Sequence, residues 1–287
     1  MAEVDESDDP TLPPPSPMFL ARVGVVLIAA VVTVGLVAAI LIHPWVFAGA
    51  VLVMQLLFVV AYVWLRRPPG PWVSLGVGVI AAVAADWVAL YSSPYSLDNL
   101  VYVPALAFGL AVVGQLLRRG SRPLLTVSMG SAMFTAAVTT GASVWIGLPR
   151  ETGSVMTVEI SLVAISAGVL AARACDLTLP KPRINRQVPR GAFGIVIGAM
   201  FAAAGSAYAS TVLSGPSLAK AAAAGLAIGL VGVLADLAAG YTHAGRRIAG
   251  KGVAGWPARH GLGPLLAFSA AAPVTYLVNV YFTVRGW

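Results

Sequence analysis

Cysteine is nearly absent from this chain: Cys175 is the one thiol in 287 residues. A single thiol excludes an internal disulfide framework and any thiolate metal cluster. Charge is scarce as well, at 10% of residues, against roughly a quarter in soluble domains. With 59% hydrophobic residues and a mean hydropathy of +0.87, that composition excludes a soluble globule. Acidic residues are few and badly distributed for a soluble surface. Five of the 11 (Glu3, Asp5, Glu6, Asp8, Asp9) lie in the first nine positions, which leaves the remainder strongly basic. There is no G-x-x-x-x-G-K-[ST], no G-x-G-x-x-G after a strand and no H-E-x-x-H.

What the chain has instead is long apolar runs. A helix needs about 20 apolar residues to cross a hydrocarbon core of roughly 30 Å. On that ruler the sequence predicts an all-α, polytopic membrane protein of about nine spans: 20–42, 46–65, 72–92, 100–117, 124–147, 155–175, 191–213, 217–240 and 262–283. Helices are expected because lipid satisfies no backbone polar group, and the runs are twice as long as a barrel strand needs. Gly and Ala dominate the last three spans, which suits close packing of backbones, within one chain or between two copies. Short joins such as His43-Pro44-Trp45 read as tight hairpin turns.

Lys and Arg in short loops set the orientation. Fifteen of the 18 fall on one side: Arg22; Arg66 and Arg67; Arg118, Arg119 and Arg122; Arg173, Lys181, Arg183, Arg186 and Arg190; Arg246, Arg247, Lys251 and Arg259. Arg150, Lys220 and Arg285 fall on the other. That asymmetry predicts a cytoplasmic amino terminus, an outward carboxyl tail and residence in the plasma membrane. Residues 1–17 are acidic and Pro-rich, with no apolar face, and read as a disordered cytoplasmic tail. They lack the basic start of a signal peptide, so the first span is expected to remain as an anchor. Residues 18–150 form an amino-terminal set of five spans, and 151–287 a carboxyl-terminal set of four.

Ionisable groups stand out against this background. Asp86 in the third span and Glu159 in the sixth are intramembrane carboxylates, functional candidates by default. Counted from the span ends, both lie about one turn from the outer surface, where a side chain can reach headgroups or bond a neighbouring helix. Gln55 reads as interhelical glue. On the cytoplasmic side, Arg173 and Asp176 share a face of the sixth span, one turn apart. Asp236 lies near the end of the eighth, followed by His243, Arg246, Arg247, Gly250-Lys251-Gly252 and Pro257-Ala258-Arg259-His260-Gly261. Glycines allow close backbone approach and the basic groups suit phosphate oxygens. Ordinary anchors on anionic lipid explain the same residues without a site.

The stretch Ala235-Asp236-Leu237, Arg246-Arg247-Ile248-Ala249-Gly250-Lys251-Gly252, Pro257-Ala258-Arg259-His260-Gly261, Ser269 and Ala272-Pro273 resembles the carboxyl-terminal signature of the CDP-diacylglycerol synthase (phosphatidate cytidylyltransferase) family. That signature runs G-D-L-x-x-S-x-x-K-R-x-x-G-x-K-D, then P-G-H-G-G-x-x-D-R-x-D-S. Upstream, Ser166-Ala167-Gly168, Ala172-Arg173 and Ile184-Asn185-Arg186-Gln187-Val188-Pro189-Arg190-Gly191 stand where family members carry an Asp-bearing helix and S-P-K-K-T-x-E-G. The likeness covers roughly residues 155–283.

What the resemblance implies is phosphatidate attacking CTP at cytoplasmic carboxylates that hold divalent metal, with little covalent work by protein. The departures fall on those carboxylates. Lys-Asp reads Lys251-Gly252, D-R-x-D falls on Leu265-Leu266-Ala267-Phe268, the upstream Glu falls on Arg190, and the Asp of its helix on Ser166 or Ala167. Magnesium wants oxygen ligands, and only Asp176 and Asp236 remain on that face after the tail.

The expectation is therefore a relative that kept the scaffold and lost the metal centre. It would bind an anionic phospholipid or nucleotide-lipid phosphate through Arg173, Arg190, Arg246, Arg247, Lys251 and His260, alone, as a homo-oligomer or beside a membrane-protein partner. No nucleic-acid role is expected. One alternative is a small-solute transporter or permease subunit with Asp86 and Glu159 as coupling groups. The other is an active lipid phospho- or nucleotidyl-transferase with a rewired site. It would use Asp236 and His260 catalytically and need Asp176 and Asp236 to converge on one magnesium ion.

Overall fold

Hydrocarbon offers no partner to backbone N–H and C=O groups, so each apolar run closes its hydrogen bonds within a helix. The computed structural model describes residues 18–92, 97–118, 124–152, 155–179, 182–185, 188–248, 250 and 256–284. Nine α-helices follow one another there: α1 (Met18–Ile42), α2 (Pro44–Arg66), α3 (Pro71–Tyr91), α4 (Tyr102–Leu117), α5 (Leu125–Thr152), α6 (Val155–Thr178), α7 (Ala192–Val212), α8 (Leu218–Ile248) and α9 (Trp256–Val284). A 3-10 turn, Leu97–Val101, leads into α4. Eight helices are long and apolar enough to cross a membrane, and α1 carries a shorter apolar stretch, Val26–Ile42. The architecture is that of a polytopic membrane protein. The expected 1–17 tail lies outside the described residues.

Two differences from the sequence expectation bear on the site. The spans predicted to end at 240 and start at 262 belong to helices reaching Ile248 and starting at Trp256. Arg246, Arg247 and His260 therefore stand on helices, not in a connecting loop. An apolar ruler stops where the hydrocarbon stops, but helical hydrogen bonds continue into water. The bundle is helical as expected, with one short departure between α6 and α7. There β1 (Arg183–Asn185) pairs antiparallel with β2 (Val188–Gly191), Arg183 opposite Gly191 and Asn185 opposite Val188. Pro182 and Pro189 cannot serve a helix interior, while Ile184 and Val188 favour extended backbone.

Contacts at the helix ends show which termini share a side. Arg246 Nη1 on α8 donates to Leu65 O near the end of α2. Gln115 Nε2 on α4 donates to Ser128 Oγ on α5 at 2.5 Å, and Ser128 Oγ donates to Pro69 O before α3. At the opposite end, Arg150 Nη1 on α5 donates to Ala89 O on α3 at 2.6 Å. The ends of α2, α4 and α8 thus lie together with the start of α5, and the relative alternation expected from Lys and Arg holds for these helices. The turn between α1 and α2 is tight as expected, with His43 Nδ1 accepting from Trp45 N at 3.2 Å and Pro44 opening α2.

Small residues set the packing of the late helices. A Cβ on Gly229 of α8 would stand 2.0 Å from Ala202 Cβ on α7, and one on Gly198 of α7 2.8 Å from Gly168 O on α6. The Gly/Ala faces of α6, α7 and α8 are consumed within one chain. Helix α9 is the hub, packing on α1, α2, α5, α6 and α8. Trp145 Nε1 on α5 donates to Phe268 O on α9 at 3.0 Å.

Gly229→Ala should lower unfolding stability in detergent by about 1–3 kcal/mol, the cost of overpacking a closed contact. Nothing lies within 4 Å of a Cβ on Gly49, so Gly49→Ala should keep or raise stability, by up to about 1 kcal/mol of helix propensity. Thermal unfolding of both variants checks the contrast in sign.

Candidate functional site

Arg173 lies in the last two turns of α6, and Asp236 lies about three turns before the end of α8. Close Gly/Ala contact brings the two helices near enough for their side chains to meet. Arg173 Nε donates to Asp236 Oδ2 at 2.8 Å and Nη2 donates to Oδ1 at 2.5 Å, a two-pronged ion pair. Asp236 is fully buried and the Arg173 side chain is 14% exposed. Gly263 of α9 covers the pair: a Cβ there would fall 2.0 Å from Asp236 Oδ1 and 3.1 Å from Arg173 Nη2. His260, buried, stands one turn earlier on α9. Three helices therefore converge on one salt bridge.

Asp176, one turn after Arg173 and also buried, turns to a different task. Its Oδ1 accepts the N–H of Gly191 at 2.9 Å, and Gly191 is the N-cap of α7. A carboxylate at a helix amino terminus satisfies an orphan donor and meets the positive end of the helix dipole. Gly194 is again the residue that permits the approach, since a Cβ there would lie 2.6 Å from Asp176 Oδ1.

Of the six groups expected to bind phosphate, Arg173 and Arg246 have partners within the bundle, and His260 is buried on α9. Arg173 holds Asp236, and Arg246 donates to a carbonyl in the last turn of α2, where a cation is favoured. Arg190 lies on β2 and Arg247 in the last turn of α8. Lys251 lies outside the described residues. Val188 of β2 packs with Leu237 and Ala244 of α8 and sits against Gly240, where a Cβ would be 3.2 Å from Val188 Cγ1. The hairpin is thereby laid along the last third of α8, so its backbone brings the Arg190 strand beside the helix that ends in Arg246 and Arg247.

The donor set does not fit a magnesium centre of the kind the resemblance implies. Both Asp236 oxygens face a guanidinium, whose charge opposes a divalent cation, and Asp176 Oδ1 is engaged at α7. No group of three His, Cys, Asp or Glu gathers among the described residues. Leu265, Ala267 and Phe268, on which the family's D-R-x-D would fall, are buried in the apolar core, and Ser166 bonds Thr33 Oγ1 of α1 at 2.8 Å.

The intramembrane acids separate. Asp86 is buried and bonded to Gln55, which acts as the interhelical glue expected of it. It does not reach a headgroup from one turn below the outer surface. Its partner Gln55, and Thr139, whose carbonyl accepts from Gln55, occupy the middles of α2 and α5. A helical side chain leans toward its own amino terminus, so Asp86, near the end of α3, reaches back into the bundle. Glu159 is half-buried near the start of α6 and shares no bond with Asp86. Sequence reasoning missed Gly194 and Gly263. The glycine-rich composition of the late spans was the available signal, without positions.

No family model, curated protein or solved structure matches this chain.

Removing one partner of the buried pair leaves an uncompensated charge, a loss of about 3–5 kcal/mol. Asp236→Ala and Arg173→Ala should each destabilise on that scale. The double variant should lose much less than the sum, as read from a double-mutant cycle of chemical unfolding in detergent.

Proposed function

We propose that this protein binds the phosphate of an anionic phospholipid, or of a nucleotide-linked lipid, at a basic cytoplasmic surface beneath α6–α9 in the plasma membrane. On this reading it is a divergent relative of phosphatidate cytidylyltransferases that carries no metal-dependent turnover. The observation that carries the proposal is the packing of Val188 on Leu237 and Ala244, which lays the strand that carries Arg190 beside the helix that carries Arg246 and Arg247. Their neighbours in sequence are Arg183, Arg186 and Arg190 on one side, and Arg246, Arg247, Lys251 and Arg259 on the other. Arginines meet phosphate oxygens with two-pronged hydrogen bonds as well as charge. Arg173 and Arg246 serve this surface indirectly: one holds α6 to α8 and the other holds α8 to α2. The Asp236 carboxylate, neutralised by Arg173, supports a binding role over phosphoryl transfer. Asp86 in the bundle interior favours the transporter reading as a second possibility, with Asp86 as its coupling group.

Purified protein should prefer phosphatidate over phosphatidylcholine in a nanodisc binding assay. Each of Arg190→Glu, Arg247→Glu and Lys251→Glu should weaken that preference, with about 1 kcal/mol, or roughly fivefold, for each cation lost near an anionic surface. Incubation with CTP, phosphatidate and magnesium should release no pyrophosphate. Equal affinity for the two lipids, or magnesium-dependent turnover abolished by Asp236→Ala, would refute the proposal.

A further inference from the structure

The amino-terminal half of the bundle holds a polar site that the basic surface does not use. Gln55 on α2 is fully buried, and Asp86 on α3 is 5% exposed. Gln55 Nε2 donates to Asp86 Oδ1 at 2.8 Å and to Thr139 O on α5 at 3.0 Å. Both amide hydrogens are therefore spent on acceptors. Those two bonds fix the amide, because turned over it would set Oε1 against the same two acceptors. Two buried oxygens are left without a hydrogen-bond partner, Asp86 Oδ2 and Gln55 Oε1. Each belongs to a group already bonded to the other, and as carboxylate and amide oxygens neither can donate. One ligand supplied between them would satisfy both.

We propose that Asp86 and Gln55 form a buried proton-binding site between α2, α3 and α5, the proton residing on Asp86 Oδ2 and being donated to Gln55 Oε1. Acid and amide then each donate once to the other and accept once in return, a closed ring of two hydrogen bonds. The reaction is a protonation alone: a proton from water bonds to Oδ2, the carboxylate charge is cancelled, and no other reactant is needed. Its physical reason is the cost of leaving a carboxylate in an apolar interior without a cation, which taking up a proton removes. From the elements packed on α3, the described titratable or charged side chains are Tyr62 and Arg66 of α2, Asp98 of the 3-10 turn, Tyr102 of α4 and Arg150 of α5. None of them donates to Oδ2. Arg150 donates to Ala89 O and Ser92 O at the end of α3.

Infrared spectra of the full chain in nanodiscs test the site. At neutral pH, the difference between wild type and Asp86→Asn should contain the C=O stretch of a protonated carboxylic acid. Gln55→Leu should move that band to the higher frequency of an acid that donates no hydrogen bond. Asn reproduces the neutral acid's shape, its acceptor and its donor. Asp86→Asn should therefore assemble and melt as wild type does at low pH. Wild type should lose melting temperature as pH rises and the native proton is released, while Asp86→Asn should not. A carboxylate stretch assigned to Asp86 at neutral pH, melting of wild type that depends on sodium, or failure of Asp86→Asn to assemble would each overturn the proposal.

Discussion

The salt bridge between Arg173 and Asp236 fixes the meeting point of α6, α8 and α9, and the chemistry of the basic end follows from it. A fully buried carboxylate held by two guanidinium N–H groups is neutralised where it stands. Gly263 lets the backbone of α9 close over the pair, where a Cβ would clash with Asp236 Oδ1. An isolated charge in that position would be untenable, and a paired one is a lock whose loss costs more than its formation gains. The same lock removes from service the carboxylate best placed to hold a divalent cation.

Membrane helices gain little from apolar contact with each other, because lipid is as apolar as leucine. The bundle is held instead by close backbone approach and by polar groups that find partners. The late helices use the first device, through Gly168, Gly198 and Gly229, and the early ones use the second, through Gln55, Asp86, Gln115 and Ser128. Helix α9 joins the halves, taking a hydrogen bond from Trp145 on one side and covering the ion pair on the other. The carbonyl ends of α2 and α3 receive arginines from distant parts of the chain, Arg246 and Arg150. These arginines do local structural work that their position in a charge count does not reveal.

The helices themselves were legible because an apolar run of membrane length has one stable conformation. The extent of α8 and α9 was not, since Arg246 and His260 sit past the apolar window on backbone that remains helical. The β-hairpin was hidden because its seven described residues are too short for any period to register. Arg173 and Asp236 were both singled out as site residues, one for phosphate and one for metal. Their bond joins positions 63 residues apart, and nothing local to either names the other. Asp86 was recognised as exceptional, but its depth depends on where Gln55 and Thr139 lie on neighbouring helices. Residue type showed that something happens at these positions, and packing decided what.

The account rests on the buried Asp236 carboxylate answering to an arginine and not to a metal ion. Manganese, a paramagnetic stand-in for magnesium, can be titrated into the purified protein in detergent and followed by electron paramagnetic resonance. The account predicts no saturable site whose occupancy depends on Asp236. A stoichiometric manganese ion that binds the wild-type chain and is lost from Asp236→Asn would contradict it.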